Sequence, residues 1–300
     1  MFTKLYFLLA FCMLSIASGN ETLVIGGVEA VKHQYPWLVR LYISIASGVT
    51  RRCTGSLISL DLVLTSATCV NGTNSQIIVI AGDHSIFQND GTEQSLLGQE
   101  IITHENFNRG GNLENDIALI RLPSNLTETR AVKPLFLPLN SYNTSQATWG
   151  TVAGWGETRF SEGEEGPSSS TLMKANVTLL TEYFCEDAFP TVNEELQFCA
   201  EGDGKGAYKG DFGGPLLCNG MTIFCGIFTR EIDFPPTTRI VGLFLNVVPY
   251  LDWIEEKMNL QPPTSTTEVS TTPQGGESTT SSGNHHVSSV ILIAYLILMC

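Results

Sequence analysis

Short runs rich in Val, Ile and Leu recur from about Val24 to Met258, and Gly, Pro or Asn interrupts them. Examples are LVRLYISI, IIVIAG and TIFCGIF. Short apolar runs at this spacing are typical of the strands of a β-sandwich or β-barrel. One helix is predicted at the end of the region, in PYLDWIEEKM, where Pro249 opens the helix and Leu251 and Ile254 lie on its apolar face. The pattern therefore predicts an all-β fold with a C-terminal helix.

Residues 1–19 have the pattern of a secretory signal peptide, with an early lysine, an apolar run from Leu5 to Ile16 and small residues at the end. A short buried strand is the alternative interpretation. Secretion places the chain in an oxidising compartment, where cysteines form disulfides rather than metal sites. Since the sequence also has no CxxC motif and no Cys/His cluster, we expect neither a metal nor another cofactor.

The composition changes abruptly after Gln261. Residues 261–284 are rich in Ser, Thr and Pro, which predicts an extended, O-glycosylated stalk after a domain over 20–260. Residues 285–300 end in the apolar run Val290–Cys300, which as a helix rises only ~16 Å against a hydrocarbon core of roughly 30 Å. Small residues, a polar spacer and an apolar terminus instead favour a glycosylphosphatidylinositol (GPI) attachment signal. A short tail anchor and a disordered end are the alternatives.

The formal net charge is −14, and acidic residues are concentrated in SEGEEG, residues 161–166. This balance argues against nucleic acid and against anionic lipid as partners, because both carry negative charge. The acidic run itself is interpreted as a solvated loop rather than as a site for a basic partner.

Five Asn-x-Ser/Thr triplets predict N-glycosylation of exposed asparagines in a secreted chain. They lie at Asn20, Asn71, Asn125, Asn143 and Asn176.

Eight motifs follow one another along about 235 residues, and in order and spacing they resemble those of the chymotrypsin-like serine proteases. They are VIGGVEA (24–30), QYPWLVRL (34–41), CTGSLISLDLVLTSATC (53–69), NDIALIRL (115–122), VAGWG (152–156), LQFCA (196–200), GDFGGPLLC (210–218) and YLDWI (250–254). The resemblance implies two perpendicular six-stranded antiparallel β-barrels with the site between them, followed by a C-terminal helix.

The chemistry of that family uses a serine nucleophile, a histidine base and an aspartate. The resemblance places the aspartate at Asp116, but Thr68 stands at the histidine position and Phe212 at the serine position. A threonine hydroxyl is no general base near neutral pH, and a phenyl ring has no nucleophilic atom. Neither His84 nor His104 is expected to replace the missing base, because both fall where the family often has a non-catalytic histidine.

Other positions depart from the family pattern as well. Leu23, not a basic residue, precedes Val24, so activation by trypsin-like cleavage is not expected. Gly206 maps to the floor of the primary specificity pocket and offers no charge there. The strand that pairs with substrate in the family reads Thr229, Arg230 and Glu231 here, and the two long charged side chains are expected to obstruct the groove.

Two retained carboxylates need partners, since an unpaired buried charge is costly. We hypothesise that the hydroxyls of Thr68 and Thr229 both hydrogen-bond Asp116. We also hypothesise that Arg51 pairs with Asp211, which follows Gly210 in the remnant of the pocket. The glycines around Phe212 are expected to retain the turn, with the ring available to a partner.

Removal of Cys12 and Cys300 with the terminal segments leaves six cysteines. The resemblance implies that Cys53 pairs with Cys69 and Cys185 with Cys199. Cys218 and Cys225 remain, because Tyr208 occupies the first cysteine position of the family bridge beside the nucleophile, and the usual partner of Cys218 would fall near Gly150. They lie on either side of an Asn-Gly turn, and a local disulfide and two free thiols remain as alternatives.

These features predict a catalytically degenerate member of the family, exported and tethered to the outer cell surface by a lipid anchor. Its expected function is binding to a protein partner such as a protease, an inhibitor or another extracellular protein. The alternative is a serine-type endopeptidase with residual or unorthodox activity, since backbone groups alone retain some catalysis over water.

Overall fold

The computed structural model describes residues 27–45, 49–157, 168–202, 204–221, 223–234 and 239–259. The predicted signal peptide, stalk and C-terminal attachment signal, together with Leu23 and Val24, lie outside these ranges. Within them the chain forms two antiparallel sheets that close into barrels, followed by a C-terminal helix. The predicted fold class is confirmed.

The first barrel takes its strands from the first half of the chain, in the sheet order β6-β5-β2-β3-β4-β8-β7. Its strands are β2 (Leu38–Ile45), β3 (Thr50–Ser59), β4 (Leu62–Thr65), β5 (Thr73–Ala81), β6 (Gln94–Leu97), β7 (Glu100–Thr103) and β8 (Ala118–Arg121).

A bend at Gly98 closes the first barrel. The N–H of Gly98 donates to the carbonyl of Ile77 in β5 (2.8 Å), and the next N–H, of Gln99, donates to Arg121 in β8 (2.8 Å). β6 and β7 therefore act as one bent strand that passes from one edge of the sheet to the other. Counted in this way, the described part of the barrel has the six strands that the sequence predicts.

The second barrel has the strands β1 (Val28–Glu29), β9 (Trp149–Gly154), β10 (Met173–Leu179), β11 (Gln197–Gly202), β12 (Pro215–Leu217), β13 (Ile223–Asp233) and β14 (Ile240–Asn246). Six of them, β9 to β14, close on themselves, because β10 pairs with β9 as well as with β11. The two-residue strand β1 pairs with the first two residues of β10, Met173 and Lys174. β10 alternates buried and less buried residues, as expected of a strand with one face on the core.

Apolar side chains form a separate core inside each barrel and a third core between the barrels. The third contains Leu64 of the first barrel, Leu245 of the second and Ile254 of the C-terminal helix (Leu251–Asn259). Arg121 also donates from Nη2 to the carbonyl of Lys257 (2.7 Å), near the end of that helix. The helix thus holds both barrels, and its predicted position is confirmed.

Two short helices are not anticipated by the sequence pattern: α1 (Ala67–Val70) and α2 (Glu182–Ala188). Turns of 3-10 helix lie at Thr144–Gln146 and Val248–Tyr250. α2 has seven residues and no side-chain cap bond, so its local signal is weak, and a disulfide from Cys185 in its middle fixes it to β11.

Disulfides join Cys53 to Cys69, Cys185 to Cys199 and Cys218 to Cys225. The sequence left open whether Cys218 and Cys225 form a disulfide or two free thiols, and the structure has the disulfide. It spans the hairpin between β12 and β13, where Asn219 and Gly220 both have positive φ, as tight hairpin turns require.

We predict that Gly98→Ala destabilises the protein through barrel closure. An added methyl would lie 2.8 Å from Cγ2 of Ile120, so overpacking should lower the free energy of unfolding by about 1–3 kcal/mol in chemical denaturation. The double variant Gly98→Ala/Ile120→Ala should lose less than the sum of the two single variants, because removal of Cγ2 relieves the contact. Strict additivity would contradict this explanation.

Candidate functional site

Asp116 and Thr68 form a hydrogen-bonded pair. Thr68 follows β4 of the first barrel, and Asp116 precedes β8 of the same barrel. The N–H of Thr68 donates to Oδ1 of Asp116 (2.6 Å), and its hydroxyl donates to Oδ2 (2.9 Å). Thr68 lies in α1, which begins after the N-cap Ser66, and Asp116 follows Asn115, whose positive φ turns the chain into β8. Burial raises the pKa of Asp116 to about 7, although the hydrogen bonds from Thr68 and Ala67 act in the opposite direction.

The prediction that Thr229 shares this role is wrong. Its hydroxyl donates instead to the carbonyl of Leu243 in β14 (3.1 Å). Thr229 lies at a register shift of β13 between Phe228 and Arg230, and the shift decides where its side chain points. A hydroxyl has one proton to donate, so Thr68 alone supplies a side-chain donor to Asp116 within the described residues.

Phe212 lies in the turn before β12, where the resemblance places a serine. The carbonyl of Phe212 accepts from the N–H of Thr54 in β3 (2.9 Å), and the N–H of Gly213 donates to the carbonyl of Phe228 (2.8 Å). Gly213 has φ +80°, and a Cβ there would fall 2.0 Å from the hydroxyl oxygen of Thr65. The turn therefore needs a glycine both for its conformation and for the close approach of β4.

The ring of Phe212 stacks on the ring of Phe228, with 5.2 Å between centroids and 11° between planes. Phe228 in turn contacts Phe244 (5.3 Å), which stacks on Phe198 (5.8 Å). Phe212 also packs against the cores of both barrels. The ring is half-buried, so only part of it faces a partner, less than the sequence pattern suggested.

Asp211 does not pair with Arg51, and that prediction is wrong. The carboxylate of Asp211 accepts from the backbone N–H groups of Gly156 (2.7 Å) and Tyr208 (3.2 Å), and also from Trp155. Burial raises the pKa of Asp211 to about 7 against these hydrogen bonds. A Cβ at Gly156 would fall 2.4 Å from an oxygen of Asp211, so the glycine makes room for the carboxylate.

Arg51 instead holds main-chain carbonyls at the end of α1. Its Nη1 atom donates to the carbonyl oxygens of Thr68 (2.7 Å), Cys69 (2.9 Å) and Asn71 (3.2 Å). The sequence could not separate these possibilities, because both the carboxylate and the carbonyls lie far from Arg51 along the chain.

The other remnant-pocket residues occupy separate environments. Gly206 is buried, whereas Arg230 is exposed, with its guanidinium 5.8 Å from the centroid of the Phe189 ring. Glu231 is half-buried, and burial, followed by the charge of Asp233, raises the pKa of Glu231 to about 7. The expected obstruction of the groove by these two side chains stays a prediction.

A cavity of about 340 Å³ opens beside Thr68 and Phe212. We name it the cationic pocket after the basic residues that line it. The lining residues are Ile45, Val49, Thr50, Arg51, Arg52, Cys53, Thr68, Cys69, Glu157, Lys209, Gly210 and Phe212. The sequence pattern does not indicate this site, because its residues come from five separate segments, although the Arg-Arg pair at 51–52 is a visible signal in a chain with 16 Lys and Arg residues.

His84 and His104 contact other groups than Asp116. Nε2 of His84 lies 2.9 Å from an oxygen of Glu29, and the ring of His104 packs against Tyr250 and Trp253. This arrangement agrees with the expectation that neither replaces the missing base.

Three carboxylates, those of Asp83, Asp90 and Glu93, lie within 4.8 Å of one another. Arg40 hydrogen-bonds Asp83, and Lys32 contacts Asp90 (2.7 Å). Basic side chains thus already compensate this cluster, and the absence of a metal stays a prediction.

Four of the predicted glycosylation sites are exposed, as a used site must be: Asn71, Asn125, Asn143 and Asn176. Asn20 lies outside the described residues.

We predict that Asp116→Asn increasingly stabilises the protein as the pH rises from about 5 to 8. A carboxyl with a raised pKa favours the folded state fully below the unfolded pKa of about 4, and this contribution is lost as the pH rises through 7. Asn is isosteric and carries no charge to bury. The difference in free energy of unfolding between variant and wild type, measured by urea denaturation at several pH values, should grow with pH.

The exposed Asp187→Asn is the matched control and should show no such growing difference. A constant difference between Asp116→Asn and the wild type at all pH values would contradict the assignment of a raised pKa to Asp116.

Comparison with known proteins agrees with this geometry. The family model described as trypsin matches residues 24–254. Mouse kallikrein-11 is 32% identical over 256 residues, which cover 84% of this chain and 88% of the relative, and human granzyme B is 34% identical over 255 residues, with 84% and 96% covered. A solved structure described as "Structure of GrC" superposes with a TM-score of 0.70 at 28% identity and covers 79% of this chain and 100% of its own. The chain therefore belongs to the trypsin family of serine proteases.

Proposed function

We propose that this protein is a non-catalytic member of the trypsin family that binds a protein partner at the outer cell surface. The observation that carries the proposal is the environment of the two replaced positions. Phe212 stacks on Phe228 at the nucleophile position, and the hydroxyl of Thr68 is committed to Asp116 at the base position.

Hydrolysis by this family needs a nucleophile and a group that takes its proton. A phenyl ring supplies neither a lone pair nor a transferable proton, and the Thr68 hydroxyl is a donor to a carboxylate rather than a base. His84 contacts Glu29 and His104 packs against Tyr250, which supports the expectation that neither acts through Asp116. The proposal follows from the loss of both reacting groups, not of one.

The scaffold around these positions is intact, which supports a binding function. Asp211 and its backbone donors still hold the turn, and Thr54 still connects that turn to the first barrel. A chain under no constraint at this site would not need to retain a buried carboxylate, since its burial is costly. The partner is expected to be an extracellular protein, such as a protease or an inhibitor.

The cell-surface part of the proposal rests on the sequence of the two ends, that is, the signal peptide over residues 1–19 and the attachment signal over 285–300. Among the described residues, no helix has the length and apolar character needed to cross a bilayer.

Catalytic competence is tested with a fluorophosphonate probe and a fluorogenic peptide library on the purified full chain. We expect no labelling and no turnover, because Phe212 offers no nucleophile. The double variant Thr68→His/Phe212→Ser serves as the comparison, and an active trypsin verifies the probe. Labelling of the unmodified chain that an active-site serine inhibitor prevents would favour the endopeptidase alternative.

Lipid anchoring is tested on intact cells with phosphatidylinositol-specific phospholipase C. A GPI anchor predicts release of the protein into the medium, since the enzyme cleaves the lipid from the glycan. A variant that ends at residue 284 is the control and should be secreted without the enzyme. Retention of the full-length protein in the membrane fraction after treatment would favour a tail anchor instead.

A further inference from the structure

The cationic pocket is lined by more basic than acidic residues, whereas the chain as a whole is acidic. The whole sequence has 30 acidic and 16 basic residues, whereas the pocket is lined by the three basic residues Arg51, Arg52 and Lys209 and by one acidic residue, Glu157. In a chain with almost twice as many acids as bases, such a cluster is the opposite of the average surface. A partner that carries negative charge is therefore favoured at this place.

Arg51 is the residue best placed to bind an anion. Its hydrogen-bond acceptors among the described residues are the main-chain carbonyls of Thr68, Cys69 and Asn71, and these bonds use one terminal nitrogen. Carbonyls orient the guanidinium without neutralising it. The group is thus held in place, half-buried, and keeps its positive charge.

Lys209 supplies a second cation at the pocket. Its ammonium lies 5.6 Å from the ring centroid of Tyr208, and its charge also acts on the carboxyl of Glu231. Glu157 is buried and its N–H donates to the carbonyl of Lys209 (2.7 Å). The hydrogen bond from Glu157 fixes the backbone of Lys209 beside Gly210, and Lys209 is one of the residues that line the pocket.

The rest of the lining is apolar or uncharged. The Phe212 ring, the disulfide between Cys53 and Cys69, and the side chains of Ile45 and Val49 surround the cavity. A small inorganic anion would leave this surface unused, whereas an amino-acid side chain places methylene groups against it. The volume of about 340 Å³ is sufficient for one or two residues of a peptide.

We propose that the cationic pocket binds an aspartate or glutamate side chain of a protein partner, with its carboxylate on Arg51 and Lys209. This proposal rests on the proposed binding function and specifies the chemistry of the partner. A guanidinium recognises a carboxylate through charge-assisted hydrogen bonds, which are stronger than neutral ones. No covalent step is involved.

The test compares two fluorescein-labelled pentapeptide pools by fluorescence anisotropy with the full chain. The pools differ only in a central Glu or Gln and carry equimolar uncharged residues at the flanking positions. We expect the Glu pool to bind about tenfold more tightly, the effect of one charge-assisted hydrogen bond. Equal affinities, or no binding of the Glu pool at about 1 mM protein, would overturn the proposal.

Substitutions assign the selectivity to the pocket. Arg51→Gln and Lys209→Gln should each reduce the preference for Glu several-fold, and Arg51→Lys should retain more of it than Arg51→Gln. Lys209→Gln removes no main-chain contact, so it remains informative if Arg51→Gln fails to fold. Arg130→Gln/Lys133→Gln, which changes two exposed cations outside the pocket, should leave the preference intact. If this control reduced the preference for Glu as much as the pocket variants do, the assignment of that preference to the cationic pocket would be overturned.

Inorganic phosphate, added at constant ionic strength, distinguishes a peptide from a small anion. If phosphate displaces the Glu pool no better than chloride does, the peptide is the ligand, and if it displaces the pool at comparable concentration, the proposed occupant is wrong.

These outcomes are independent of catalysis. Fluorophosphonate labelling would contradict the proposed function without changing the peptide preference, and equal binding of the two pools would remove the inference but not the proposed function.

Discussion

Hydrogen bonds from Thr54 to main-chain carbonyls join the two barrels at the turn from Gly210 to Gly214. Thr54 of β3 donates its N–H to the carbonyl of Phe212 (2.9 Å) and its hydroxyl to the carbonyl of Gly210 (3.2 Å). The approach is so close that a side chain at Gly213 would overlap Thr65. The turn cannot move without opening the interface, so the position of Phe212, the geometry of Asp211 and the shape of the cationic pocket all depend on barrel docking.

Two carboxylates remain buried at this interface although their expected partners are absent or different. Asp116 accepts from the N–H and the hydroxyl of Thr68, and Asp211 accepts from the backbone N–H groups of Tyr208, in its own loop, and of Gly156. Hydrogen bonds of this kind reduce the cost of burial without a cation, but they do not remove it. The carboxyls therefore hold the local structure together and at the same time tie its stability to pH.

On the proposed assignment of the nucleophile and base positions, Phe212 and Thr68 change which groups a partner can reach. The ring of Phe212 turns toward Phe228 and the barrel cores, which leaves only part of its surface accessible. Arg51 and Lys209 stand at the pocket beside it. On the proposed function, this part of the fold presents an apolar floor and basic residues to a partner.

Much of the fold followed from the sequence because its signals are local or ordered along the chain. Short apolar runs predict strands such as β2, which is LVRLYISI, and the Asn-Gly pair predicts the turn between β12 and β13. The seven-residue helix α2 was not predicted, because it lacks a cap bond and a long periodic pattern, and a disulfide to β11 fixes it. The sequence did not decide whether Cys218 and Cys225 form a disulfide, because that depends on the distance between their Cα atoms, which is 5.8 Å in the structure.

By itself the sequence determined the all-β class and the C-terminal helix, since residue type and order are enough for these, whereas the assignment of the three triad positions stays a prediction. Only the tertiary structure decided where the polar side chains point. Thr229 turns to Leu243 at a strand irregularity, and Arg51 binds carbonyls of α1 rather than Asp211. The physical reason is that a hydrogen bond is decided within a few tenths of an ångström, by bulges and barrel packing that bring distant segments together, whereas the sequence pattern specifies only which face of a strand is buried.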